Sequence, residues 1–76
     1  MNINMRPTQP TPAPVAAEHG TIEGLDASIH TLNGRSWVTL RAWGEHCDEV
    51  STRHADRDEA IAKAVRMARA CGMIGE

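Results

Sequence analysis

Polar and apolar residues alternate along LDASIHTL, residues 25–32. Leu25, Ala27 and Ile29 fall on one side, and Asp26, Ser28 and His30 on the other. A period of two predicts a β-strand, because successive side chains leave a pleated strand on opposite faces. The alternation returns in SWVTLRAW, residues 36–43, with Val38, Leu40 and Ala42 against Trp37, Arg41 and Trp43. Between the two runs stands Asn33-Gly34. A two-residue type I′ turn needs positive φ at both central positions, so this pair predicts a tight hairpin. The polar run GEH, residues 44–46, predicts the next turn. A third strand is expected over Cys47–His54, where Val50 is the sole large aliphatic residue.

After His54 the period becomes helical. Ile61, Ala64, Val65 and Ala68 form one apolar stripe, with Glu59, Lys63 and Arg66 opposite, and predict a helix from about Arg57 to Cys71. Asp56 is placed to cap its start, and Glu59, three residues on, to complete a capping box. Asp58 and Glu59 suit the positive end of the helix dipole, and Arg66 and Arg69 the negative end. Gly72 suits the left-handed position after the last turn. The alanines at 60, 64 and 68 allow a close approach to a sheet.

The Asn33-Gly34 turn sets a register, because a two-residue loop decides which residues stand opposite. Leu32 then meets Arg35, Ile29 meets Val38, Ala27 meets Leu40 and Leu25 meets Ala42. The other face pairs His30 with Trp37, Ser28 with Thr39 and Asp26 with Arg41. One face is apolar and the other mixed, as a half-buried antiparallel sheet requires. For the third strand, a three-residue loop, Gly44–His46, places Val50 opposite Leu40, Glu49 opposite Arg41 and Arg53 opposite Trp37. A two-residue loop would set Glu49 against Leu40 and bury a carboxylate, so the longer loop is preferred. The expected core is Leu25, Ala27, Ile29, Val38, Leu40, Ala42, Val50, Ile61, Ala64, Val65 and Ala68. The expected fold is α+β: a three-stranded antiparallel sheet with one C-terminal helix packed on one face.

Residues 1–17 hold all four prolines, Pro7, Pro10, Pro12 and Pro14. Proline disfavours helix at its own position and at the one before it, so a disordered Pro-rich leader is expected over 1–20, followed by a βββα domain over 21–76. The chain of 76 residues carries a net charge of −2 and a pI near 6.0, which argues against an overall basic, nucleic-acid-binding surface. Cys47 and Cys71 have no CxxC spacing and are expected to be reduced. No apolar run reaches the length of a membrane span, and MNINMRPTQP lacks the apolar core of a secretion signal. A cytoplasmic protein is expected, in the cell that makes it or in a host entered by a mobile element.

The pattern shows no phosphate-binding glycine loop and no nucleophile elbow. His46, Cys47, Asp48 and His54 fit no zinc spacing, and alternation sends neighbouring residues to opposite faces. No cofactor, no metal and no enzymatic activity are expected. The open sheet face is the candidate site, as a protein-binding surface formed by Trp37, Arg41, Trp43, Arg53, Asp26 and Glu49. Tryptophan and arginine are the residues most enriched at binding hot spots. The tryptophans could also serve homodimerisation, or one of them could wrap a sheet edge and join the core.

HADRDEAIAKAVRMARACG, preceded by the strands around SWVTLRAWGE, resembles small phage and mobile-element proteins of βββα order. Among these are short type I-F anti-CRISPR inhibitors. The resemblance covers residues 25–73 and rests on element order and alanine content. It implies a non-enzymatic inhibitor that docks on a host nucleoprotein effector complex and blocks its DNA binding or assembly. The sheet with Arg and Trp on its open face is also similar to the plant AP2 domain and to the arm-binding domain of phage integrases. That likeness implies duplex DNA reading by Arg35, Arg41, Arg53, Trp37 and Trp43. Asp26 and Glu49 on the same face, and the acidic balance of the chain, disfavour direct nucleic-acid binding.

Overall fold

The computed structural model describes residues 2–7, 16–42 and 48–74. It contains five strands and one helix: β1 (Ile3–Pro7), β2 (Ala16–Ile22), β3 (Leu25–Leu32), β4 (Arg35–Ala42), β5 (Asp48–His54) and α1 (Arg57–Ala70). The strands form one antiparallel sheet in the order β1-β2-β3-β4-β5, each beside its neighbour in sequence. This corrects the expected three-stranded sheet. The fold remains α+β, but the segment expected to be a disordered leader contributes β1 and most of β2.

The β3–β4 hairpin has the expected register, with Leu32 opposite Arg35, Ile29 opposite Val38 and Ala27 opposite Leu40. Asn33 and Gly34 both take positive φ, 52° and 76°, as the type I′ turn demands. The β4–β5 pairing places Val50 opposite Leu40 and Arg53 opposite Trp37, which is the register of the three-residue-loop alternative. The loop itself, and Cys47, lie outside the described residues. A second turn, Glu23-Gly24, repeats the geometry at φ 51° and 78°. Glutamate rarely adopts positive φ. Here the Glu23 amide donates to the Asn2 carbonyl at 2.8 Å, and the Asn2 amide donates to Glu23 Oε1 at 3.4 Å. The turn between β2 and β3 is thereby tied to the start of β1.

Helix α1 packs on β4 and β5. Ala60, Ile61, Ala64, Val65 and Ala68 are buried against Ile22, Leu25, Ala27, Ile29, Val38, Leu40 and Val50. The core matches expectation with three changes. Ala42 is only partly buried, because it pairs with exposed Asp48 near the end of β4. Ile22 and Ala60 are fully buried additions. Ile22 joins because β2 extends the core face beyond β3. Ala60 joins because the first helical turn lies directly over β5. There Thr52 Oγ1, also buried, donates to the Ala60 carbonyl at 2.8 Å.

The helix ends are capped by local chemistry. Asp56 Oδ1 accepts the Asp58 amide at 2.8 Å. The Asp56 amide, which the capping box assigned to Glu59, donates instead to His54 Nδ1 at 2.8 Å. An accepting Nδ1 carries no proton, so this contact fixes the ring tautomer. At the other end Gly72 takes φ 79°. The Met73 amide reaches the Ala68 carbonyl and the Gly72 amide the Arg69 carbonyl, which is a Schellman cap. It turns Met73 and Ile74 back onto the core.

One ion pair joins the helix to the N-terminal strands. Arg57 Nε and Nη2 donate to Glu18 Oε2 and Oε1 at 2.9 and 2.8 Å. Pairing with Ile29 puts Glu18 on the core face, so its charge requires this partner. The hydrogen bonds that Arg57 donates to Glu18 raise the Arg57 pKa above its usual value, with burial opposing. Arg57 already titrates far above neutrality. A raised value gives a contribution present at all lower pH and lost only in strong alkali, so Arg57 adds no pH dependence to stability between about pH 5 and pH 9. Replacing Glu18 by glutamine should cost about 1 kcal/mol in low salt, because both side chains keep some solvent contact. Urea unfolding would check this. The difference should shrink at high ionic strength, and equal stability of the two proteins in low salt would contradict it.

Candidate functional site

The sheet face away from the helix is crossed by three rungs of side chains. One runs Ala17, His30, Trp37, Arg53. The next runs Arg6, His19, Ser28, Thr39, Ser51. The third runs Asn4, Thr21, Asp26, Arg41, Glu49. Among the described residues no element covers this face. Five of the six expected site residues, Trp37, Arg41, Arg53, Asp26 and Glu49, stand on it. The sixth, Trp43, lies outside the described residues.

The face is electrostatically divided. At one end Arg41 grips Glu49, with Nη2 at 2.7 Å and Nε at 2.9 Å from the same carboxylate oxygen. Asp26 takes His19 Nε2 at 2.9 Å, diagonally across the β2–β3 pair. Both carboxylates of the face are thus engaged. At the other end Trp37 is half-buried, with His30 and Arg53 beside it across the strands and Arg35 two residues earlier on its own strand. Arg35, Arg53 and His30 are exposed. Among the described residues, Arg35, Arg53 and Arg6 form no ion pair. Between the two ends lie small hydroxyl side chains, with Thr39 and Ser51 3.5 Å apart.

The expected site therefore splits. Trp37 and Arg53 belong to a cationic cluster, while at the opposite end Glu49 is paired with Arg41 and Asp26 with His19. The structure adds Arg6 and His19 to the face and keeps Arg35, expected there as a DNA reader, beside Trp37. Arg6 and His19 lie in the segment whose prolines predict a leader, so sequence alone does not place them on the face. The available signal was IEGL, a two-residue turn between apolar residues, with period-two INMRP upstream. Of the eight Lys and Arg residues, four (Arg6, Arg35, Arg41, Arg53) lie on this face, against two of the eight described Asp and Glu residues. The open face is net positive in a chain that is net negative.

The described residues enclose no cavity and contain no group of three His, Cys, Asp or Glu side chains able to hold a metal. Among them no helix is long and apolar enough to cross a membrane. Cys71 is an exposed free thiol at the helix C-terminus, remote in sequence from the face. In comparisons with protein-family models, curated proteins and solved structures, no match to this chain is found.

Proposed function

We propose that this protein is a non-enzymatic interaction module that docks on a host nucleoprotein complex through its open sheet face and inhibits it stoichiometrically. The observation that carries the reading is the uncovered face itself: a half-buried tryptophan amid exposed arginines. Such side chains combine flat apolar area with charge that can pair across an interface. The inhibitor role rests on the resemblance to type I-F anti-CRISPR proteins. That likeness in element order reaches only β3, β4, β5 and α1 of a fold with five strands.

A mobility shift with a purified type I-F effector complex and its labelled target DNA tests this reading. Added protein should abolish the shift near one equivalent, and Arg53→Glu with Trp37→Ser should restore it. Intact DNA binding at excess protein, or equal inhibition by the face variants, would overturn it.

Duplex DNA reading by the same face gains from its positive charge. It loses from its width. Three strands span about 10 Å between outer backbones and suit a major groove about 12 Å wide, whereas five span about 19 Å. The strands that were missed thus weaken the groove-reading alternative.

A further inference from the structure

We infer that the Trp37 end of the open face binds a single strand of nucleic acid, with a base on the Trp37 ring and phosphates on Arg35 and Arg53. This rests on the interaction reading above and names what the face grips within a nucleoprotein partner.

Three observations lead there. The first is charge. The face is positive although the chain is acidic, and its two carboxylates are held at the far end by Arg41 and His19. Around Trp37 the neighbours in register and along the strand are Arg35, Arg53, His30 and Thr39, none of them acidic. A polyanion is the complementary partner. The second is shape. An open sheet with an aromatic side chain and flanking cations is a stacking platform, and stacking tolerates any base because every base has a π-face. A duplex hides those faces. The third is width: a five-stranded sheet is too broad for a major groove, and a flexible single strand carries no such limit. The hydroxyls of Ser28, Thr39 and Ser51, in the adjacent rung, offer donors and acceptors to sugar and phosphate oxygens.

The platform is small. With one tryptophan among the described residues, it holds two or three nucleotides at most on the precedent of sheet-based readers, so modest affinity is expected. Its salt dependence is also modest. Neutralising two phosphates of a single strand gives a slope of log K against log salt of about −1.4, and losing one arginine removes about 0.7 of it.

Fluorescence anisotropy of labelled oligo(U) and oligo(dT), about twelve nucleotides long, would test the inference with the full chain at about 50 mM salt. Binding is expected, with that shallow slope and with weaker retention of a duplex of equal length. Trp37→Leu should weaken binding about tenfold. Arg35→Gln and Arg53→Gln should each flatten the salt slope. Circular dichroism should be unchanged in all three, and if Trp37→Leu unfolds, the two exposed arginines carry the test. No binding by either oligomer overturns the inference. So does tighter binding of duplex, or full competition by poly(Glu) together with indifference to Trp37→Leu, which would mark a general polyanion surface. The effector-complex assay separates this from the broader reading. A chain that inhibits the complex but ignores oligomers keeps the interaction module and loses the single-strand site. A chain that binds oligomers but spares the complex does the reverse.

Discussion

Replacing Gly20 by alanine should detach β1 from the sheet. Gly20 pairs with Met5, and β1 lies so close alongside that an added Cβ would clash with the Asn4 carbonyl oxygen and lie 3.0 Å from Met5 Cα. Both atoms are backbone, so no rotamer change relieves the clash. Overpacking usually costs about 1–3 kcal/mol, and a rigid backbone obstacle puts this substitution at the upper end. Native domains are stable by only about 5–15 kcal/mol, so that is a large share. The expected readout is a lower urea midpoint together with loss of amide-exchange protection across β1. The β3–β4 hairpin and α1 should stay protected, because their contacts with each other do not involve β1. A chain lacking residues 1–7 should unfold at nearly the same midpoint as Gly20→Ala. Full protection of β1 in the variant would refute the close packing.

Leu40→Ala should be still more damaging, and its contrast with Trp37→Leu tests the assignment of faces. Leu40 is fully buried between Ala27 and Val50 and under the helix. Truncating a buried leucine costs about 2–5 kcal/mol, through lost transfer energy and the cavity left behind. The surrounding core is mostly alanine and valine and has little capacity to collapse into the gap, so cooperative unfolding should be lost at room temperature. Trp37, three residues away, points to the other face. Trp37→Leu should move the unfolding midpoint by less than about 1 kcal/mol. Calorimetry of the two variants decides the matter. Comparable losses would mean that Trp37 belongs to the core and that the open face is no docking surface.

The two halves of the chain differ in how far they can be read from sequence. Residues 25–70 announce themselves because their signals are local. Alternation, the Asn33-Gly34 turn, the Asp56 cap and the alanine stripe each act within a few residues, and they agree with one another. The N-terminal strands lack that agreement. INMRP alternates, but Pro7 closes it. AAEHGTI places Glu18 and Gly20, poor strand formers, on the side that faces the helix. Each is explained by a residue far off in sequence: Glu18 by Arg57, and Gly20 by the backbone of Asn4 and Met5. Composition around the prolines says leader. Tertiary contact says sheet. The same distance effect replaced Glu59 by His54 in the cap, because β5 delivers the ring to the Asp56 amide.

The candidate site follows the same division. Trp37, Arg41, Arg53, Asp26 and Glu49 could be placed on one face from register alone. Their separate roles could not. Two carboxylates on the face argued against an anionic partner as long as they were merely counted. Geometry shows both engaged near one end of the rungs, leaving the cations around Trp37 unopposed. Hydrophobic period and turn stereochemistry are local quantities, so the hairpin, the helix, the core face and the identity of the open face are legible in the chain. The number of strands, the breadth of the face and the distribution of charge across it come from long-range contacts. Those depend on which distant residues meet: a half-buried carboxylate held by an arginine, a glycine pressed against a neighbouring strand, and ion pairs formed across neighbouring strands.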